Sequence, residues 1–292
     1  LVSYLSGRGP LGRLLARLSR TWDIGSAVVV GAHTECSDRL HRSDGPRPPL
    51  DVDAGERVAK VMARAGLCSR REAERWIEAG RVEVNGKKLT TPACVIKPGD
   101  TVVVDGNALP DKEPTRLWRY NKPAGLVTSH KDPEGRKTVF DAMPAHMPRV
   151  ISVGRLDLNS EGLLLLTNDG ELARKLELPE TGWTRRYRVR VHGNVDSKDL
   201  LALGRGVTVD GIKYGPITAS FDSRTGANAW LTVSLKEGKN REVRKVLEHI
   251  GLSVNRLIRT AYGPFQIGNL PEGETEEVRP KALRDQVGMF LK

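Results

Sequence analysis

Apolar residues at Val58, Val61, Met62 and Ala65 recur at i, i+3, i+4 and i+7 and predict a first helix that stops at Gly66, with Arg57, Lys60 and Arg64 on its other side. Ser69 and Glu72 have the spacing of a capping box: the serine hydroxyl accepts the Glu72 N–H, and the Glu72 carboxylate accepts the Ser69 N–H. A second helix therefore starts there, carries Ala73, Trp76 and Ile77 beside Arg70, Arg71 and Arg75, and is predicted to end at Gly80. The period then changes from helical to alternating. Val82 and Val84, an Asn85-Gly86 turn, and Thr101–Val104 before Asp105-Gly106 predict short strands and a hairpin. This helix-turn-helix plus hairpin, about 55–60 residues long, lies in the size range that folds alone.

Asp111–Thr115 is polar and reads as a linker into a larger domain. Leu117–Tyr120 predicts a strand, and Asn121-Lys122-Pro123-Ala124-Gly125 a turn at its end. Val150–Val153 is a second strand, broken by Gly154-Arg155-Leu156-Asp157; Gly162–Thr167 is a continuous apolar run, the pattern of a strand buried on both faces. Asn168-Asp169-Gly170 turns the chain into a helix over Glu171–Leu178. In Arg186–His192 the alternation puts Tyr187, Val189 and Val191 on one face and Arg186, Arg188 and Arg190 on the other. Val243, Val246, Leu247 and Ile250 form a helix stripe bordered by Arg244. The fold class is α+β, in two domains.

Residues 1–53 sustain no period and end in Ser43-Asp44-Gly45-Pro46-Arg47-Pro48-Pro49, so a disordered extension is expected there. Arg8, Arg13, Arg17 and Arg20 precede the first acidic residue, Asp23, which is also the composition of an organelle transit peptide; the alternative is an upstream extension without function. The expected division is 1–53 extension, 54–112 small domain, 113–117 linker, 118–284 large domain and 285–292 tail.

Charge changes the picture more than composition does. Lys and Arg number 47 against 36 Asp and Glu, a net +11, which favours a polyanionic partner. The charge alone does not choose between nucleic acid and an anionic membrane surface, but no run approaches the roughly 18 apolar residues of a spanning helix, so no membrane-spanning segment is expected. Cys36, Cys68 and Cys94 have no C-x-x-C spacing, and no H-x-x-x-H pair or glycine-rich nucleotide loop occurs, so neither metal nor cofactor is expected. Three residues stand out chemically. Asp157 lies on a loop between two buried strands, where a carboxylate can be a nucleophile, a general base or simply a turn cap. Tyr187 points with the apolar set of its strand, as a core tyrosine does, and Arg244 can reach inward or lie on the surface.

Two stretches resemble known families. A-R-A-G-L-C-S-R-R-E-A-E-R-W-I-E-A-G-R-V-E-V-N-G, within Arg57–Val104, resembles the S4 RNA-binding domain. G-R-L-D-x-x-S-x-G-L-L-L-L-T-N-D-G, from Gly154 to Gly170, resembles the signature of the RsuA/RluB branch of the pseudouridine synthases. Further marks of that branch follow in order: Tyr120-Asn121-Lys122-Pro123, Asp132-Pro133-Glu134-Gly135-Arg136, Arg186 and Arg188 flanking Tyr187, and Glu237–Arg244. The resemblance covers about residues 56–280 and implies a mainly antiparallel sheet flanked by helices and loops.

The first resemblance implies an RNA-docking surface carrying Arg57, Lys60, Arg70, Arg71 and Arg75. The second implies isomerisation of uridine to pseudouridine with a flipped base, in which Asp157 is the nucleophile; attack at C1′, attack at C6 and a glycal route are equally open. It also implies that Arg244 pairs with Asp157, that Tyr187 stacks on the uracil, and that Arg155 fills the space of the extruded nucleotide. Lys122 and the Arg186, Arg188, Arg190 face are candidates for phosphate contacts, and Arg185 stands where the family often has Lys. Asp132–Asp141 and Asn240–Arg244 favour members acting on 23S ribosomal RNA, so the expected partner is 23S rRNA or a large-subunit precursor particle, met in the cytoplasm by a monomer. The rivals are the same chemistry on 16S rRNA or another RNA, a noncatalytic RNA-binding assembly protein, and a metal-dependent nuclease using Asp157, which needs further carboxylates at a metal.

Overall fold

In a computed structural model, which describes residues 55–291, the predicted helix pair and hairpins form as their local signals dictate; the readings of residues 1–53 lie outside the described residues. β1 (Glu56–Arg57) leads into α1 (Val58–Arg64), and α2 (Arg70–Glu78) starts on Ser69, whose capping box with Glu72 is complete. β2 (Val82–Val84) and β3 (Lys87–Lys88) close over Asn85 and Gly86, both at positive φ as a type I′ turn requires. After β4 (Val95–Ile96), β5 (Val102–Val104) and β6 (Asn107–Ala108) repeat this device over Asp105 and Gly106. Val58, Met62, Ala73, Ile77 and Val82 are fully buried between the helices and the strands.

The large domain holds β7 (Leu117–Lys122), β8 (Ile151–Val153), β9 (Ser160–Thr167), α3 (Gly170–Glu177) and β10 (Arg185–His192). Next come α4 (Ser197–Ala202), the hairpin β11 (Val207–Val209) and β12 (Ile212–Tyr214), then β13 (Ile217–Thr225) and β14 (Asn228–Leu235). α5 (Glu242–His249), β15 (Ser253–Tyr262), β16 (Phe265–Gln266), β17 (Thr275–Glu277) and α6 (Pro280–Val287) complete it. The main sheet runs β13-β14-β10-β15-β9-β7-β17, with β8 also on β9 and β16 on β15. It is antiparallel apart from the β15–β9 pair.

β9 explains the unbroken apolar run. Leu163 and Leu165 face one cluster, with Leu172 and Leu176 of α3 and Leu283 and Val287 of α6; Leu164 and Leu166 face another, with Tyr120, Leu126, Val139 and Leu156. A third cluster packs α4 and α5 on Val189, Val191, Leu231 and Leu257. Gly162 allows the parallel pairing: its φ is 98°, and a Cβ there would lie 2.3 Å from the Arg259 carbonyl oxygen.

Two expected boundaries move. The tail from 285 is not a tail, because α6 continues to Val287, which is fully buried, and Phe290 and Leu291 pack on the same cluster. The linker ends earlier than 117: Leu117 is buried in β7, and Asn168 and Asp169 hold the preceding Arg116 N–H and Thr115 hydroxyl. Among the described residues no helix is long and apolar enough to cross a membrane.

Candidate active site

The Gly154–Asn159 loop between β8 and β9 is anchored by Leu156, buried in the cluster under it. Five successive carbonyls, from Leu156 of this loop to Ser160 at the start of β9, are then taken by donors. Leu156 O accepts the Thr128 hydroxyl at 2.8 Å, Asp157 O the Ser160 N–H at 3.0 Å, and Leu158 O the Gly125 N–H at 2.8 Å. Asn159 O accepts Arg244 Nη2 at 3.1 Å, and Ser160 O accepts Lys122 Nζ at 2.8 Å. A loop so pinned holds its carboxylate in one place without ordering cost at the moment of use. Asp157, with a third of its side chain exposed, opens into a cleft of about 1590 Å³.

Lys122 is therefore not a phosphate contact. It is fully buried, and Nζ donates to Pro123 O at 2.8 Å and Leu158 O at 3.3 Å as well as to Ser160 O. Its three donors are spent on backbone, so none is left for RNA. Burial pulls its pKa down to about 8, against the opposing pull of the Glu161 and Asp157 carboxylates. A signal for this was present: Trp118, Tyr120 and Lys122 alternate on the buried face of β7.

Arg244 also differs from expectation. Its guanidinium reaches inward, but Nη1 donates to Val254 O and Nη2 to Asn159 O, each at 3.1 Å, so it braces the loop backbone and makes no ion pair with the Asp157 carboxylate. Burial first, and then the Arg241 charge, lower its pKa, while Asp157 opposes. The cation paired with Asp157 is Arg241, whose Nη1 lies 3.8 Å from Oδ2. Arg241 immediately precedes α5 in left-handed backbone, φ 51°, which turns its side chain back toward the β8–β9 loop. Glu242 next to it is buried; it accepts the Lys239 N–H at 2.9 Å, and burial raises its pKa.

Tyr187 is half-buried, packs between two core clusters and lines the cleft, so it is neither a core tyrosine nor a free one. Arg155 lines the cleft as an exposed side chain. Arg185 is buried two residues before Tyr187, bonded to Tyr262 Oη at 3.0 Å and to the Lys236 carbonyl, which fixes the strand end that carries the tyrosine. Arg259, buried on β15, donates to Leu163 O at 2.7 Å and lines the same cleft.

The small domain contributes to this cleft directly. Arg70, Arg71 and Arg75 of α2 line it and are exposed. Arg57 is exposed but does not line it, and Lys60 is not free: it pairs with Glu56 at 2.8 Å and with Glu171 of α3. Arg64 also reaches Glu171, at 2.8 Å, so α1 is tied to the large domain by its basic side. Among the described residues no three His, Cys, Asp or Glu side chains are placed to hold a metal ion.

Residues 116–249 match the RNA pseudouridylate synthase family and residues 56–102 the S4 domain. An uncharacterized RNA pseudouridine synthase of Rickettsia bellii (strain RML369-C) is 50% identical over 229 residues, 78% of this chain and 99% of that protein. The chain belongs to the RNA pseudouridine synthases. The ribosomal large subunit pseudouridine synthase B of Salmonella typhimurium is 45% identical to this synthase over 230 residues, 76% of this chain and 79% of that protein. A crystal structure of a pseudouridylate synthase, 23% identical, has the same fold with a TM-score of 0.56 over 80% of this chain and 100% of that one. Sequence reasoning about the synthase missed Arg241 and Thr128, and left the contact of Arg185 open. For Arg241 a signal existed, since it stands three residues before Arg244.

Proposed function

We propose that the protein isomerises uridine to pseudouridine in ribosomal RNA, with 23S rRNA or a large-subunit precursor particle as substrate and Asp157 as the nucleophile. The observation that carries this is the loop whose carbonyls from Leu156 to Ser160 are all bonded, holding one carboxylate at the cleft where S4 and synthase residues meet. The likeness to a ribosomal large subunit pseudouridine synthase over three quarters of the chain supports the choice of RNA.

The reaction breaks the N1–C1′ bond, turns the base and joins C5 to C1′; the proton leaves C5 and N1 takes one up. A carboxylate that forms and releases a covalent bond divides this into easier steps. Tyr187 lines the same cleft as that carboxylate and stacks on the flipped base, and Arg155 enters the space the nucleotide leaves at a cost of a few kcal/mol for unstacking. Arg70, Arg71 and Arg75 hold phosphates at the cleft's S4 side. The reaction takes place in the cytoplasm, in a single copy of the chain.

The test is release of tritium from 5-tritiated-uridine 23S rRNA, in EDTA, by wild type and Asp157→Asn side by side, because forming the C5–C1′ bond displaces that hydrogen. Release by wild type alone is expected. Release by both would remove Asp157 from the mechanism. Release from 16S rRNA and not from 23S rRNA or a precursor particle would overturn the choice of substrate.

A further inference from the structure

One face of the sheet is left unused by the cleft. On β10 the odd-numbered residues face inward: Arg185 and Tyr187 line the cleft and Val189 and Val191 lie in the core. Arg186, Arg188 and Arg190 are exposed on the other side. The register puts an uncharged neighbour beside each: Arg186 is opposite Ser234, Arg188 opposite Thr232 and Arg190 opposite Trp230. Among the described residues none of the three arginines is in an ion pair, whereas Arg256, opposite Arg190 on β15, is held by Glu161 at 2.6 Å. Arg188 instead lies over the Trp230 ring, 4.6 Å from its centroid.

The Cα atoms of three arginines at alternate positions of one strand stand about 6.6–6.8 Å apart along it, which sets their charges in a row. Like charges in a row repel, and what relieves them is a ligand carrying a row of negative charges, not a single anion. The half-buried Trp230 ring, already covered by Arg188, holds that guanidinium in place on this face. We propose that this outer face of β10 and β14 is a second RNA-binding surface, which grips the phosphodiester backbone of the substrate RNA outside the catalytic cleft. It rests on the reading that the substrate is a large RNA, since an RNA filling the cleft alone does not reach the opposite side of the sheet.

The test measures RNA affinity against salt, and kcat and KM by tritium release, for wild type and the triple variant Arg186→Gln, Arg188→Gln, Arg190→Gln on full-length 23S rRNA transcript. Each phosphate contact contributes about 0.7–0.9 to the slope of log affinity against log salt, so the variant's slope is expected to be shallower by about 2 or more. KM is expected to rise about tenfold near physiological salt while kcat falls less than twofold. The triple lysine variant, which keeps the charges, restores the slope. If the triple glutamine variant fails to fold, Arg190→Gln alone gives the same reading with a slope change of about 1. Slope and KM equal to wild type in a folded variant would overturn the surface. Because binding is read apart from turnover, a wild type that binds this RNA without releasing tritium overturns the functional reading, while the slope still decides the surface.

Discussion

Arg241 Nη1 stands 3.8 Å from Asp157 Oδ2, although Arg244, three residues later, is the arginine that the family motif assigns to that carboxylate. The two have divided the work: Arg244 braces the loop through Asn159 O, and Arg241 faces the charge. With 48% and 33% of the two side chains exposed, the Arg241 pair is worth under about 1 kcal/mol in water. Closing the cleft on a base removes water and strengthens it. Arg241→Ala is expected to lower kcat/KM about tenfold, with most of the loss recovered in Arg241→Lys. An alanine variant with wild-type kcat/KM in the tritium assay would make the pair incidental.

Asp157→Asn is expected to abolish turnover while RNA affinity stays within about tenfold of wild type, because the proposed binding rests mostly on S4 and surface arginines. Filter binding on the same RNA checks this. A collapse of affinity would mean that Asp157 organises the RNA site and not only the chemistry.

Lys122→Met removes a buried cation and leaves the carbonyls of Pro123 and Ser160 without their donor. It should cost kcat more than KM, since the loop that carries Asp157 loosens. Its pH signature has a definite sign. The folded-state pKa of about 8 lies below the ordinary 10.5, so the unfolded chain binds more protons between them. The stability that wild type gains over the Met variant is complete above about 10.5 and is lost as pH falls through about 8. Urea unfolding of both proteins at pH 7.5 and pH 9.5 reads the difference; wild type weakening relative to the variant as pH rises would refute the assignment.

Gly162→Ala meets backbone on β15, with the Arg259 oxygen at 2.3 Å and nitrogen at 2.8 Å, at a φ of 98°. Neither atom is the end of a flexible side chain, so the two strands must part. We expect a loss of more than about 3 kcal/mol or failure to fold. A thermal midpoint within a few degrees of wild type would show that the parallel pairing yields.

Glu171→Gln removes the negative charge that both Lys60 and Arg64 share across the domains. With its side chain 42% exposed, little stability is at stake, under about 1 kcal/mol. The expected effect is on KM for RNA, raised severalfold with kcat kept, because α2 and its arginines line the cleft only while the small domain is held there. An unchanged KM would show that other contacts hold the domain.

Features that depend only on neighbours along the chain were legible from the residues: the Ser69–Glu72 box, the Asn85-Gly86 turn, the two-faced burial of β9 and the alternation of β10. Those features follow from local backbone preferences and from which face of an element is apolar, and both are written within a few residues. What the tertiary structure alone decided is where long charged side chains end. Lys122 meets Ser160 across 38 residues, Arg244 meets Asn159 across 85, and Arg64 meets Glu171 across 107. A lysine or arginine carries its charge several bonds from the backbone, so periodicity fixes the side from which it leaves and not the group it meets. That is why the motif marked Asp157, while the cation facing it, the buried lysine beneath its loop and the helix replacing the expected tail appeared only once distant segments were packed together.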